Sequence, residues 1–253
     1  MLLENIKTIV VLGKCYPANI KYQSHFAKSY SSTGINPRVN SNAIKICKYA
    51  VQRDYHQVIR SKLEQICAVL EQNANINCKY FVDSGVVLDK VWGVESGLGW
   101  LGNNGLLIND TLGSYFHIGV IFLDIEVASD DRVESGCGNC RLCIDKCPTG
   151  ALLGGGLLDS RRCLSCYTIE RGNKIDVELD SAMVASGCVY GCDICQDVCP
   201  YNAGRLLDSE ELYCFPADLL SFSEGDFLSY YKDSPILRVG YGRFLRNVGL
   251  VVG

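Results

Sequence analysis

Cys137-Gly138-Asn139-Cys140-Arg141-Leu142-Cys143-Ile144-Asp145-Lys146-Cys147-Pro148 places four cysteines at intervals of two, two and three residues and closes on proline. That is the bacterial ferredoxin spacing, in which three thiolates on a tight loop bind one [4Fe-4S] cubane. The fourth, held before proline, turns away to a second cluster. Downstream, Cys192-x2-Cys195-x3-Cys199-Pro200 forms a partial copy with Val189 where its first cysteine would stand. The second cluster therefore needs a ligand from elsewhere, and Cys163, after Arg161-Arg162, is the best placed. The crossed assignment is then Cys137, Cys140, Cys143 and Cys199 for one cluster, and Cys147, Cys163, Cys192 and Cys195 for the other. Cys166 and Cys188 compete as ligands but keep the crossed pattern less well. Zinc also takes paired Cys-x2-Cys elements, yet has no use for the 2, 2, 3 spacing followed by proline, twice over.

The chain has 253 residues and 15 cysteines. An odd count in a long chain without a basic, apolar leader argues against a disulfide scaffold and for thiolates bound to metal in a reducing cytoplasm. Cys15, Cys47, Cys67 and Cys78 are scattered through the first part, ten cysteines lie between Cys137 and Cys199, and Cys214 follows. Cys47 and Cys67 sit in apolar helical context and read as small buried hydrophobes, and Cys15 reads as structural. The compositional break near Ser129-Asp130-Asp131 sets a boundary, giving units at 1–130, 131–205 and 206–253. No apolar run reaches the ~18 to 20 residues of a membrane span. A net charge of −4 argues against wholesale nucleic-acid coating while allowing a local basic patch.

Outward from the cysteines, Ile6 to Gly13 is an apolar, β-branched run closed by glycine and reads as a buried strand. Tyr55, Val58, Ile59, Leu63, Ile66, Val69 and Leu70 recur at helical spacing after Asp54, a plausible N-cap. Strands are expected at Cys78 to Val82, Leu106 to Asn109 and His117 to Leu123, a helix at Val86 to Ser96, and a helical, polar stretch from Leu206 onward. Strands and helices without a clean βαβ repeat indicate an α+β layer fold. Two clusters alone make an electron wire, and 130 further residues imply something to be reduced. Asp83 ends a strand before Ser84-Gly85 at the edge of an apolar layer. Desolvation there raises a carboxyl pKa and suits a proton donor, although a turn aspartate is the plainer reading.

The chain resembles the epoxyqueuosine reductase family, iron–sulfur and cobalamin enzymes of queuosine biosynthesis in tRNA. The matching stretches are Arg53-Asp54-Tyr55-His56, Phe81-Val82-Asp83-Ser84, Gly97-Leu98-Gly99-Trp100, Leu112-Gly113-Ser114, Cys137 through Leu152, Leu158 through Cys163, Thr168-Ile169-Glu170 and Tyr190-Gly191-Cys192-Asp193. The resemblance covers nearly the whole chain. It implies a cobalamin-binding α/β layer domain, a two-[4Fe-4S] ferredoxin-like domain and a short helical tail, without the helical repeats of longer members. Asp83 would be the catalytic proton donor and a corrin neighbour. Corrin contacts would come from Leu107, Ile118, Leu164, Asp193 and Ile194, and Arg171 would face the tRNA. The crossed cluster ligation is also the family's. The implied reaction is two-electron deoxygenation of epoxyqueuosine to queuosine at the wobble position, fed by a reduced ferredoxin or flavodoxin-type donor. A cytoplasmic monomer with no membrane partner is expected.

Asp54-x-His56 resembles the start of a base-off cobalamin motif, but Ile59 stands where that motif has glycine, so His56 is not assigned to cobalt; His25 and His117 belong to no motif. From 206 to 253, Lys232, Arg238, Arg243 and Arg246 face seven acidic residues, a poor phosphate track. Two other functions fit part of the pattern: a cobalamin reductase of a small molecule, and a non-catalytic two-cluster electron carrier. A missing RNA platform favours the first slightly, while the match around Asp83 and Thr168-Ile169-Glu170 argues against it; the second predicts no corrin binding and no effect of Asp83→Asn on any reaction.

Overall fold

The computed structural model describes residues 5–18, 44–83, 85, 87–171, 175–204 and 219–252. His25, Cys214, the helix start expected at Val86 and the boundary at 205/206 lie outside them. In chain order the described elements are β1 (Thr8–Cys15), β2 (Lys45–Ile46), α1 (Tyr55–Ala74), β3 (Cys78–Phe81), α2 (Asp89–Glu95), β4 (Trp100–Leu101), β5 (Leu107–Ile108) and β6 (Phe116–Leu123). They continue with α3 (Leu142–Lys146), β7 (Leu152–Gly154), β8 (Leu157–Leu158), α4 (Leu164–Ile169), α5 (Val177–Ser186), β9 (Cys188–Tyr190), α6 (Ile194–Asp197), α7 (Glu224–Tyr230) and α8 (Tyr241–Val252). This is mixed helix and strand. No helix among the described residues is long and apolar enough to cross a membrane.

β6 is the middle strand of an antiparallel sheet ordered β1-β6-β3, with Thr8 and Cys78 both opposite Leu123. Asp54 caps α1 by accepting the His56 backbone N–H at 2.9 Å, as expected of an aspartate before the apolar-periodic run. α1 then lays Ile59, Leu63 and Cys67 against Ile121 and Leu123. Gly119 permits that approach, because a Cβ there would stand 3.1 Å from both Ile59 and Leu63. The other sheet face carries Phe81 and Phe122, with ring centroids 5.0 Å apart.

A second core ignores the boundary expected at 130. Ile44, Ile46, Cys47, Ala50 and Val51 pack with Val189 and Tyr190 and with Leu219, Phe227, Tyr231, Ile236, Phe244 and Val248. β2 pairs in parallel with β9, so the segment 44–51 belongs to the cysteine-rich half. The tail is correspondingly not the polar stretch expected. Its apolar side chains complete this core, each contributing about 1.5–3 kcal/mol on burial.

The tail's cations are used internally. Arg243 Nε donates to the Thr168 carbonyl at 3.3 Å, Arg246 lies 2.7 Å from Asp180, and Arg238 lies 3.0 Å from Glu170. Asn247, fully buried, donates from Nδ2 to the carbonyls of Thr168 (3.1 Å) and Val189 (3.0 Å), fastening α8 to α4 and β9. Replacing Asn247 by leucine removes both bonds, leaving Thr168 only its contact with Arg243, and is expected to destabilise the protein by about 1–3 kcal/mol. Lys232→Ala, on the exposed surface, is expected to stay within ~0.5 kcal/mol. Urea unfolding midpoints of the two variants measure the contrast, and equal midpoints would contradict it.

Candidate functional site

The loop 137–148 and the segment 192–199 lie side by side, each wrapped around a short helix, α3 and α6. Turns such as Cys140 N–H to the Cys137 carbonyl (2.9 Å) hold the cysteines close in sequence on the inner side of their loops. Cys137, Cys140, Cys143 and Cys199 line one space of about 220 Å³. Cys147, Cys163, Cys192 and Cys195 line another of about 380 Å³. Cys47 is a fifth cysteine of the larger space, while Cys166 and Cys188 border neither. No three His, Cys, Asp or Glu side chains among the described residues converge as a single metal ion would require. Four soft sulfur donors spread around a roomier cavity fit a cluster of irons.

Burial pushes the Cys195 thiol up to about 12. Cys192 is pushed up chiefly because it donates a hydrogen bond to Cys188. At Cys147 burial is outweighed by hydrogen bonds from the backbone and side chain of Thr149 and from the backbone of Ala151 and Leu152, which favour the thiolate. Because iron takes thiolates, cluster uptake at such thiols releases protons. Gly191, at φ +70°, sets Cys192 in place: a Cβ there would run into Cys47 Sγ.

The 380 Å³ cavity reaches the sheet. Tyr55, Phe116 and His117 line it and also line a second space of about 430 Å³ that holds Asp83, Lys90 and Ile118. Asp83 follows β3 at φ 45°, a left-handed conformation that aspartate tolerates better than most residues. Its backbone N–H donates to Asp89 Oδ2 at 3.2 Å, and the Tyr55 hydroxyl donates to its Oδ2. His56 Nε2 stands 3.8 Å from the same oxygen, while His56 Nδ1 lies 2.8 Å from Asp54. The Asp83 side chain is 57% exposed, so the desolvated edge expected for it is not supplied by the described protein atoms. A strand end beside an open pocket leaves the carboxylate facing outward.

Beside Asp83 the rings of Tyr16, His117, Tyr55 and His56 form a column. His117 lies 4.6 Å from Tyr16 and 4.1 Å from Tyr55, and Tyr55 lies 4.1 Å from His56. Burial, with the neighbouring His56 charge, pushes His117 down to about 3. On the cysteine side the Lys48 ammonium is buried against Tyr115 Oη (3.1 Å) and Asp197, and the Lys48 backbone N–H donates to Asp193 Oδ2 at 2.6 Å. Burial nevertheless pushes Asp193 up to about 6.

Leu164, Asp193 and Ile194 line the larger cavity as expected for neighbours of a bound group, and Ile118 lines the Asp83 space. Leu107 borders neither. It is buried and packs against Gly93 of α2, and Leu106 takes the cavity wall because successive strand residues point to opposite faces. Arg171 is also turned inward: Nη1 donates to the Arg161 carbonyl at 2.7 Å and lies 3.8 Å from Asp176. Sequence reasoning missed His117, Lys48, Asn104 and the cavity position of Cys47. No local signal marked the first, whose ring neighbours Tyr16, Tyr49 and Tyr55 come from separate segments.

Residues 1–84 match the family model described as epoxyqueuosine reductase, and residues 136–202 match the 4Fe-4S double cluster binding domain. Epoxyqueuosine reductase of Escherichia coli (strain K12) is 36% identical over 262 residues, covering 100% of this chain and 65% of the relative. That of Cellulophaga algicola is 37% identical over 213 residues, covering 81% of this chain and 69% of the relative. A crystal structure of epoxyqueuosine reductase with an epoxyqueuosine-modified tRNA-Tyr stem loop superposes with a TM-score of 0.82 at 28% identity, covering 99% of this chain and 65% of that one. The chain thus spans just under two thirds of the Escherichia coli relative.

His117 carries a pH signature. Its folded pKa lies below the ordinary 6.5, so below that pH the unfolded chain binds a proton that the folded chain refuses. His117 therefore costs stability progressively as pH falls from about 6.5 towards about 3. The His117 ring resonance in the native protein should keep its neutral chemical shift down to pH ~5, and His117→Phe should flatten the loss of stability below pH ~6.5. A native titration midpoint near 6.5 would refute the burial argument.

Proposed function

The chain belongs to the epoxyqueuosine reductase family, and on that premise we propose that it is an oxidoreductase converting epoxyqueuosine to queuosine at the wobble position of tRNA. In this reaction both C–O bonds of the epoxide break and a C=C bond forms. Two electrons and two protons enter, and the oxygen leaves as water. The electrons come from outside, from a reduced ferredoxin or flavodoxin-type donor. The reading adds cobalamin to the two [4Fe-4S] clusters, and places a monomeric protein in the cytoplasm. The supporting observation is the shared wall: Tyr55, Phe116 and His117 join the cysteine-lined cavity to the Asp83 space, so electron entry and proton delivery meet at one place.

Cysteines 137, 140, 143 and 199 would hold one cluster, and cysteines 147, 163, 192 and 195 the other. Leu164, Asp193 and Ile194 would border a corrin on the cluster side and Ile118 on the sheet side, with Leu106 in the place expected for Leu107. Bound there, cobalamin supplies a low-valent metal centre able to pass electrons to carbon. Asp83 holds a proton for the departing oxygen, and the Tyr55 hydroxyl orients its carboxyl group. Substrate and corrin closing over the exposed Asp83 would supply the desolvation that favours its protonated form. Arg171 is retained on the tRNA side only through its backbone neighbourhood, since its guanidinium is engaged within the chain.

Anaerobic reconstitution should give about eight irons per chain, and added cobalamin should give a base-off cobalt(II) resonance. Turnover of tRNA bearing epoxyqueuosine should then fall at least ~100-fold in Asp83→Asn, in line with loss of a general acid, with iron and corrin uptake unchanged. Eight irons without bound corrin would instead indicate an electron carrier. The ligand sets have their own check. Cys163→Ser should disrupt one cluster and lower iron content, and Cys166→Ser should leave it intact. The reverse outcome would reassign the fourth ligand.

A further inference from the structure

The turn Gly102-Asn103-Asn104-Gly105 joins β4 to β5 and carries two asparagines to the cysteine loops. It closes through Gly105 N–H to the Gly102 carbonyl (2.9 Å) and Gly102 N–H to the Leu106 carbonyl (2.8 Å). Asn103 is fully employed. Its Nδ2 donates to the Cys140 carbonyl at 2.9 Å and its Oδ1 accepts the Gly155 N–H at 3.0 Å. Asn104 is different. It is only 5% exposed, its Oδ1 accepts the Leu106 N–H at 3.2 Å, and its Nδ2 has no hydrogen-bond partner among the described residues.

That accepted hydrogen bond assigns the amide orientation, since the nitrogen cannot accept from Leu106. A buried amide donor left unpaired costs about 1–3 kcal/mol and is rare in native proteins. Nearby polar groups satisfy one another instead. Ser114 Oγ donates to Gln196 at 3.0 Å, and Asn202 Nδ2 donates to Ser114 Oγ at 3.0 Å. Asn104 stands in the wall between the two cysteine-lined cavities and borders both of them. Thiolate and sulfide sulfur, the chemistry both cavities are built to hold, are acceptors in want of donors.

We propose that Asn104 Nδ2 donates a hydrogen bond to a sulfur of an iron–sulfur cluster and thereby raises that cluster's reduction potential. The inference rests on the two-cluster reading above. A donor aimed at cluster sulfur stabilises the reduced, more negative form, one of the levers that sets such potentials. Asn104 is thus a tuning residue at the junction of two redox centres, supplied by the sheet-bearing half of the chain to the cysteine-rich half.

The test is an anaerobic redox titration of the reconstituted holoprotein, followed by electron paramagnetic resonance. Wild type is compared with Asn104→Leu, of similar size and uncharged, and with Asn104→Asp, which keeps the acceptor for Leu106. Each sample is first assayed for iron. The expected result is full iron content, with the potential of one cluster shifted downward in both variants and that of the other unchanged; which cluster moves identifies the sulfur. Unshifted potentials in fully loaded Asn104→Leu would overturn the proposal. So would loss of iron from both variants with the fold retained, which would make Asn104 structural. Absence of iron from wild type would instead bring down the two-cluster reading, a distinct failure.

Discussion

Each of the two cysteine runs gives one residue to the space lined by the other. Cys199 lies with Cys137, Cys140 and Cys143, and Cys147 lies with Cys163, Cys192 and Cys195. This crossing forces the two loops side by side, and it cannot be relaxed at one loop without opening both spaces. Both runs end in proline, Pro148 and Pro200, which disfavours helix at the preceding cysteine and keeps it extended towards the neighbouring set. Much of the remaining packing can be understood as bracing this arrangement.

The brace comes from distant parts of the chain. The segment 44–51 enters through the two-residue pairing of β2 with β9 and brings Cys47 against Gly191 and Lys48 against Asp193 and Asp197. The Lys48 ammonium is a buried charge, tolerable because carboxylates and the Tyr115 hydroxyl surround it. α7 and α8 seal the outer side with Phe227, Phe244 and Val248. The cysteine-rich half therefore does not own its core; it borrows one wall from the segment between β1 and α1 and another from α7 and α8.

Legibility followed how local each signal is. The double-cluster domain was readable because spacing of two and three residues fixes geometry within a single loop. α1 was readable because its apolar period runs unbroken from Tyr55 to Leu70 behind a capping Asp54, and β1 and β6 because of their apolar, β-branched runs. The β2–β9 pairing was not, since a two-residue parallel contact between segments some 140 residues apart leaves no pattern in either. α8 misled for a related reason. Arg243, Arg246 and Asn247 read as solvent-facing polarity, yet each satisfies a carbonyl or carboxylate of another element. Leu106, one residue from Leu107, is the neighbour that lines the cavity, a distinction set by strand alternation. His117 was illegible because its environment consists of rings from three separate segments.

The contrast between Asp83 and the cysteines follows from what each must do. Thiols that hold a permanent metal cluster gain from being buried and braced, because every lost contact loosens the ligand geometry. A group that exchanges a proton with a transient substrate needs access, and Asp83 sits exposed at a strand end, at a left-handed backbone angle held by Asp89 and Tyr55. Dryness there has to arrive with the occupant, so the carboxylate's surroundings would respond to occupancy of the pocket rather than to the fold alone. Tyr55 is the hinge of that response, since one ring touches the permanent cavity, the neutral His117 and the exposed carboxylate together. A substitution at Tyr55 is thus expected to disturb the carboxylate and the cavity wall at once, whereas one at Asp83 leaves the wall in place.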